Sequence, residues 1–180
     1  MALTLSKNFD LRKTYFLIAG IAGVNPKIGT LADVAFAKYA VQVALQYEVD
    51  ARELNPKDNM TTGYIPFGAK RPSEYPSEIY GTEVFEVNEA LRDLAVGFAQ
   101  KANLTDSDVA QKYRTNYAGG SNNNVKKFRS AARKPGILTC DVATSDVWYS
   151  GNMLSESFDE TMKLFTNGYA SHPFAVKFHN

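Results

Sequence analysis

Uninterrupted apolar runs of strand length mark two parts of the chain, Thr14–Ala19 and Ile137–Ala143. Runs that do not alternate with polar residues are typical of strands covered on both faces, as in a parallel sheet. Thr82–Val87 alternates and predicts a short strand or an extended segment that leads into the next helix. Ala32–Leu45 stays open, because its alanines favour a helix at the start whereas the alternation from Val41 favours a strand at the end.

Three segments in the second half of the chain carry apolar residues at helical spacing. Asn88 is suited to cap the first helix, whose predicted apolar face consists of Leu91, Leu94, Ala95, Phe98 and Ala102. Thr105–Asp108 resembles a capping box that opens a short helix ending near Tyr117. The last helix ends at Asn167-Gly168, and its predicted apolar face consists of Leu154, Phe158, Met162 and Phe165.

Strands separated by helices predict an α/β fold, in which helices flank a sheet with parallel strands. Neither an internal repeat nor a linker divides the 180 residues, so one domain is expected. Residues 55–81, which hold four of the seven prolines, and Gly119–Asn124 are predicted to be loops. Ligands of such sheets bind beyond the carboxyl ends of strands, which makes Gly20–Gly23 and Thr144–Ser150 candidate ligand contacts.

Composition and charge exclude several classes of function. The 20 Lys and Arg residues balance 19 Asp and Glu residues, so no general field attracts nucleic acid, and we expect no nucleic acid partner. No apolar run approaches the roughly 20 residues of a membrane-spanning helix. The first ten residues lack the apolar core of a signal peptide. The late basic residues are expected to form a solvated loop face: Lys126, Lys127, Arg129, Arg133 and Lys134.

Known catalytic and metal-binding motifs are missing from the sequence. It contains no Gly-x-Ser-x-Gly elbow, no Walker loop and no His-Glu-x-x-His pair, and its histidines are confined to His172 and His179. Cys140 lies in an apolar run and is expected to be a buried, unreactive thiol. From the residues alone we expect no catalytic residue, no metal and no cofactor.

Several longer strings of the sequence carry a specific resemblance. They are Phe9–Leu11, Thr14–Pro26, Tyr47–Glu53, Gly63–Pro66, Ile79–Asn88 and Ala143–Gly151. These strings resemble the fungal purine nucleoside permease family, and the likeness extends from about Leu3 to Gly168. Despite the name of that family, the resemblance implies a fold similar to the nucleoside phosphorylases, here a partial sheet flanked by helices.

The resemblance implies a ligand contact at the end of the first predicted strand. In nucleosidases similar to this family, a strand ends in a Gly-x-Ala-Gly turn that faces the ribose. The sequence matches this turn, so the implied contacts are Ala19, Gly20, Ile21, Ala22 and Gly23. Ile21 stands where the nucleosidases carry Ser or Thr, and the missing hydroxyl argues against catalysis. A tight turn that serves only packing is the alternative.

Two further groups of ligand contacts, one acidic and one ending in an aromatic residue, follow from the same resemblance: Glu48, Asp50, Asp146, Val147 and Trp148. The two acids lie one residue apart, so a strand would point both to one face, where an ion network with Arg52 is an equal alternative. In the relatives the aromatic residue lies against the purine base, whereas a core position for Trp148 is the other reading.

The sequence departs from the family pattern at both ends. The family begins upstream with a secretory leader and further strands, and it continues downstream into an acidic segment that resembles a ribose-binding motif. Residues 169–180 do not match this pattern. We therefore expect a partial permease-like domain over residues 1–168 and a non-matching tail over residues 169–180. The family implies the secretory pathway or cell surface, but without a signal peptide the compartment stays open.

Three functions remain as alternatives. The first is purine nucleoside binding associated with nucleoside transport across the fungal cell membrane. The second is a phosphorylase or nucleosidase, which the missing acidic motif and hydroxyl disfavour. The third is a truncated, inactive interaction module. The implied partner is a purine nucleoside, with phosphate and a second copy of the chain as further candidates.

Overall fold

The computed structural model describes residues 2–58, 60, 62–72, 74–78, 80–118, 128–146, 150–166 and 174–176. Its strands are β1 (Val34–Phe36), β2 (Tyr39–Gln42), β3 (Gln46–Glu48), β4 (Tyr64–Pro66), β5 (Val84–Glu86), β6 (Ile137–Thr139), β7 (Asp141–Thr144) and β8 (Phe174–Val176). Its helices are α1 (Ala2–Leu5), α2 (Glu89–Ala99), α3 (Asp108–Ala118) and α4 (Asn152–Thr166). The predicted loop Gly119–Asn124 and the predicted site residues Val147 and Trp148 lie outside the described residues.

Four strands form the main sheet in the order β5-β2-β7-β8. β2 pairs parallel with β7, and β7 pairs parallel with β8, while β5 pairs antiparallel with β2 and forms an edge. Helices α2 and α3 lie between β2 and β7 in the chain, and α4 joins β7 to β8. The parallel pair β1–β6 and the antiparallel pair β3–β4 complete the strands. The α/β class predicted from the sequence is confirmed.

A β-bulge separates β1 from β2 and β6 from β7. Between the two registers, the three residues 37–39 lie opposite the two residues 140–141, so the β1–β2 side has one extra residue. The buried carboxylate of Asp141 fills the gap and accepts a 3.1 Å hydrogen bond from the backbone N–H of Tyr39. The predicted buried strand Ile137–Ala143 therefore forms as two strands, with β6 half-buried and β7 buried at Asp141 and Ala143.

Helix α4 packs its apolar face against β2 and β7. Phe158 and Met162 of this face are fully buried, and Leu154 and Phe165 are partly buried, as their spacing predicts. The core between helix and sheet consists of Tyr39, Val41, Val43, Ala143, Phe158 and Met162. Since burial of a large apolar side chain stabilises a fold by roughly 1.5–3 kcal/mol, this cluster stabilises the packing of α4 on the sheet.

Helix α2 begins as predicted but buries a different face. The side chain of Asn88 caps it by accepting a 3.0 Å hydrogen bond from the backbone N–H of Leu91. Buried positions on this helix are Arg92 and Val96, one turn apart, whereas the large residues of the predicted face are exposed: Leu91, Leu94 and Phe98. The predicted face is wrong except at the half-buried Ala95, because the helix turns Arg92, Val96 and the half-buried Ala99 inward.

The predicted strand Thr14–Ala19 is not formed. Residues 14–24 have no regular structure, and their large apolar side chains are exposed: Tyr15, Phe16, Leu17, Ile18 and Ile21. A strand forms only where a neighbouring strand takes up its backbone hydrogen bonds, and no strand in the described part of the chain lies beside this segment. The apolar run therefore indicates a segment whose burial would be favourable, but it does not specify which element would bury it.

A cluster of ion pairs joins the segment before β1 to the segment before β6. The carboxylate of Asp33 accepts two hydrogen bonds from Arg133, at 2.8 and 2.5 Å, and one each from the backbone N–H groups of Thr30 and Gly136. The carbonyl of Arg133 accepts from the buried guanidinium of Arg114. The prediction of a solvated basic face is therefore wrong for Arg133, because a buried carboxylate holds it.

Candidate functional site

The carboxyl ends of β2 and β7 meet at one edge of the main sheet, where ligands of parallel sheets bind. Gln42 pairs with Thr144 in the last register of the two strands. The backbone N–H of Val43 then donates a 2.9 Å hydrogen bond to the carbonyl of Thr144, so the strands stay together to the edge. Beyond it Ser145 is buried and Asp146 is exposed to solvent.

Helix α4 is fixed beside this edge by a polar contact in its second turn. The hydroxyl of Ser157 lies 3.3 Å from the side-chain oxygen of Gln46, the first residue of β3. The next residue, Phe158, packs into the core under the sheet. The second turn of α4 therefore lies beside the start of β3, the strand that follows β2.

A polar cluster connects α4 to the segment that follows the predicted Gly-x-Ala-Gly turn. The amide of the buried Asn25 donates a 3.4 Å hydrogen bond to Oδ1 of Asp159, and the ammonium of Lys27 lies 3.8 Å from Oδ2. Asn25 also accepts from the backbone N–H of Lys27, which fixes the local turn. These contacts hold the chain just after Gly23 against α4.

Burial raises the pKa of Asp159 above its ordinary value. The cations of Lys27 and Lys163 and the hydrogen bond from Asn25 lower this pKa by less, and the neighbouring Glu156 raises it further. The contacts at 3.4 and 3.8 Å are too long to compensate fully for lost solvation. Asp159 is therefore a carboxylate with unused hydrogen-bonding capacity, as is common for ligand-binding residues.

The β3–β4 pair carries an acid and an exposed aromatic ring, which packs on a second ring just after β4. Glu48 accepts a 3.1 Å hydrogen bond from the hydroxyl of Tyr64 on the opposite strand. Burial raises the pKa of Tyr64, and the bond and charge of Glu48 raise it further. The ring of the exposed Tyr47 lies 4.9 Å from that of Phe67, centroid to centroid, at 57°. Such a ring offers a face on which a flat base can stack.

Asp50 is engaged in local structure. Its carboxylate accepts from the backbone N–H of Arg52, at 2.9 Å, and so caps the 3₁₀ helix Ala51–Glu53. The guanidinium of Arg52 binds the same carboxylate and holds the pKa of Asp50 below its ordinary value. Glu48 pairs with Tyr64 instead, so the ion network considered for both acids forms only at Asp50.

The segment from Ala19 to Gly23 does not form the predicted tight turn. It has no regular or turn structure, Ala19 to Ala22 are exposed, and Gly23 is half-buried. Positive φ angles occur among the described glycines at Gly68, Gly81 and Gly151, so Gly20 and Gly23 use backbone angles open to any residue. The backbone of this segment is accessible, but it is not shaped as an anion cradle here.

The structure adds residues to the site that the sequence pattern did not single out. Asn25, Lys27 and Asp159 form a contact across more than a hundred residues, which no local pattern reveals. The sequence did offer one indication for Asp159, because this acid directly follows Phe158, a core-facing residue of a predicted helix. Within the described residues no group of three or more His, Cys, Asp or Glu side chains could hold a metal ion.

Comparison with known proteins places the chain in a family. The family model described as purine nucleoside permease (NUP) matches residues 1–175. A purine nucleoside permease of Candida albicans is 43% identical over 175 residues, which cover 95% of this chain and 40% of that protein. A probable purine nucleoside permease of Schizosaccharomyces pombe is 35% identical over 175 residues, which cover 93% of this chain and 47% of that protein.

The chain thus spans less than half the length of these relatives. No solved structure matches it, so the likeness to the nucleoside phosphorylase fold stays a prediction. Among the described residues, none of the helices has the length and apolar character needed to cross a bilayer. Because the family model covers nearly the whole sequence, this chain belongs to the purine nucleoside permease family.

Proposed function

We propose that this chain binds a purine nucleoside at the carboxyl edge of β2 and β7, as its part in nucleoside transport across the fungal cell membrane. The observation that carries the proposal is the contact of Asn25 with Asp159. It ties the segment after Gly23 to α4, the helix that follows Asp146. The cluster lies just after one segment proposed from the sequence as a ligand contact and on the helix that follows the other.

The chemistry of the edge suits a nucleoside. Carboxylates such as Asp159 and Glu48 accept hydrogen bonds from ribose hydroxyls, and amides such as Asn25 donate to ring nitrogens or carbonyl oxygens of a base. The exposed ring of Tyr47 supplies a stacking face. The proposed ligand contacts retained from the sequence are Ala19, Gly20, Ile21, Ala22, Gly23, Glu48, Asp50, Asp146, Val147 and Trp148.

The proposal is tested by thermal unfolding of the chain with adenosine, inosine or guanosine, and with uridine as the pyrimidine control. A ligand that binds only the folded state at 100 times its Kd adds about 2.7 kcal/mol, which corresponds to a rise in Tm of roughly 5–10 °C for a chain of this size. We expect this rise with purine nucleosides only. No shift with any nucleoside, or an equal shift with uridine, contradicts the proposal.

The role of the polar cluster is tested with Asp159→Asn, which keeps the shape of the side chain and removes its charge. We expect its purine-induced rise in Tm to fall to less than half that of the wild type. Asp10→Asn, at an exposed pair with Arg12, is the control and should keep the full rise. Chromatography of the same mixtures for free base, with and without phosphate, detects the enzymatic alternative.

A further inference from the structure

A short motif between α2 and α3 has the form of an acceptor for N-linked sugars. Asn103-Leu104-Thr105 is an Asn-x-Thr triplet without proline at its second position. Residues 103–107 have no regular structure, and Asn103 and Thr105 are exposed, whereas Leu104 between them is half-buried. The amide and the hydroxyl that a glycosyltransferase must reach therefore lie on the solvent side of one loop.

Neither side chain is engaged in holding the fold. Among the hydrogen bonds of the described part of the chain, none uses Asn103 or Thr105. The hydroxyl of Ser107 caps α3 instead, by accepting a 3.2 Å hydrogen bond from the backbone of that helix. The carboxylate of Asp106 accepts two hydrogen bonds from Arg114, at 2.9 and 2.6 Å. The triplet therefore precedes a fixed helix start, and modification of its amide costs no contact.

A groove beside Asn103 leaves room for a sugar. It has a volume of about 340 Å³ and is lined by Gln100, Ala102, Leu104 and residues 135–137, besides Asn103 itself. Because the groove is open to solvent, a sugar joined to Asn103 would displace water and no packed side chain.

We propose that Asn103 is a site of N-linked glycosylation when the chain is made in the secretory pathway. The co-substrate of the oligosaccharyltransferase is an oligosaccharide joined through C1 of an N-acetylglucosamine to a lipid pyrophosphate. The side-chain nitrogen of Asn103 bonds to C1 and gives up one proton, while the bond from C1 to the pyrophosphate breaks and the lipid pyrophosphate leaves. The proposal concerns modification and does not depend on nucleoside binding.

The modified residue would lie at the opposite end of the strands from the proposed nucleoside edge. Gly136, which lines the groove with Asn103, directly precedes β6, whereas Thr144 ends β7. At about 3.3 Å per residue, these two positions are roughly 20–25 Å apart along the strands. A glycan at Asn103 therefore leaves the edge at Gln42 and Thr144 open, so glycosylation and nucleoside binding are compatible.

Expression of the full chain behind a cleavable secretory leader in yeast tests the proposal. We expect a form of reduced electrophoretic mobility that peptide N-glycosidase removes. This enzyme turns the glycosylated Asn into Asp, and the tryptic peptide 102–112 contains no Asn besides Asn103, so its mass identifies the carrier. An unmodified Asn103 in a chain whose leader has been removed overturns the proposal, as does a glycan carried by Asn59 alone.

Variants of the triplet separate loss of the acceptor from loss of the fold. Thr105→Ala should abolish the conversion of Asn103, whereas Thr105→Ser should keep it, because serine retains the hydroxyl. Both variants, made without a glycan in bacteria, should keep the Tm of the wild type, since exposed positions without contacts change stability little. Asn59→Gln is the control at the second Asn-x-Thr triplet, whose Asn59 and Thr61 lie outside the described residues. Conversion of Asn103 in Thr105→Ala, or its loss in Asn59→Gln, overturns the proposal.

Discussion

The substitution Asp33→Asn should strongly destabilise the domain although it changes neither the size nor the shape of the side chain. Asp33 is 3% exposed and accepts hydrogen bonds from Arg133, Thr30 and Gly136. It thereby holds the segment before β1 against the segment before β6, which form the start of the parallel strands. Asparagine keeps one acceptor oxygen but turns an N–H₂ group toward the donors that the second oxygen now serves.

The loss of stability follows from the number of hydrogen bonds that the Asp33 carboxylate accepts. Hydrogen bonds to a charged group contribute about 1.5–3 kcal/mol each, and asparagine forfeits two of the four. Arg133 remains one-third exposed, so water recovers part of its loss. We expect a net cost of about 3 kcal/mol, which lowers Tm by roughly 6–12 °C for a chain of this size.

Thermal and urea unfolding at neutral pH and one protein concentration measure this cost. Asp10→Asn is the matched control, because Asp10 also accepts two hydrogen bonds from one arginine side chain, Arg12, but on the surface. Its Tm should not change measurably, since exposed ion pairs contribute little. A cost below about 0.5 kcal/mol for Asp33→Asn, the size of an ordinary surface change, would refute the reasoning. So would equal effects of the two substitutions.

Four further substitutions test single sites. Gly63→Ala should lower the free energy of unfolding in urea by at least about 2 kcal/mol, because a Cβ there would lie 2.4 Å from the carbonyl oxygen of Val49. Gly97→Ala on α2, where a Cβ meets nothing within 4 Å, should instead raise this free energy by about 1 kcal/mol. Burial alone would raise the pKa of Glu83, but backbone N–H groups of residues 80–83 together hold that pKa below 4.5. This stability is complete above pH 4.5 and is lost as pH falls toward the lowered pKa, so Glu83→Gln should flatten the loss of Tm in acid; an unchanged acid profile would contradict it. The effect of Asp159 on stability has the opposite sign, because its pKa is raised and its charge therefore destabilises the fold above the ordinary pKa of 3.8. Asp159→Asn should raise Tm at pH 7 but not below pH 3.8. A lower Tm of this variant at pH 7 would count against the prediction.

Local patterns predicted the elements whose determinants are local. Asn88 caps α2 as its side-chain chemistry demands, and the i, i+4 spacing of Phe158 and Met162 places both in the core. The run Ile137–Ala143 forms the strands β6 and β7 because β1 and β2 lie beside it. Thr14–Ala19 has the same kind of pattern but lacks such a neighbour among the described residues, so apolar character alone did not decide its structure.

The contacts of the candidate site were also predicted only in part from the sequence. The sequence pointed to the carboxyl ends of strands, and the edge at Gln42 and Thr144 is present. It did not reveal that Asn25 meets Asp159, because that contact depends on how α4 docks on the sheet. Likewise, Arg133 belonged to a run of basic residues, and only the fold brings it to Asp33.

Carboxylates that stabilise the fold can be distinguished from the proposed ligand-binding carboxylate by how fully they are bonded. Asp33 receives four donors within 2.8 Å, and Asp106 receives two from Arg114 at 2.9 and 2.6 Å. Glu83 is enclosed by backbone N–H groups. Within the described part of the chain, Asp159 has only the long contacts with Asn25 and Lys27, and its pKa is raised whereas those of Asp106 and Glu83 are lowered. Folding alone gives no reason to keep a charge in such a place, whereas a ligand that donates hydrogen bonds does.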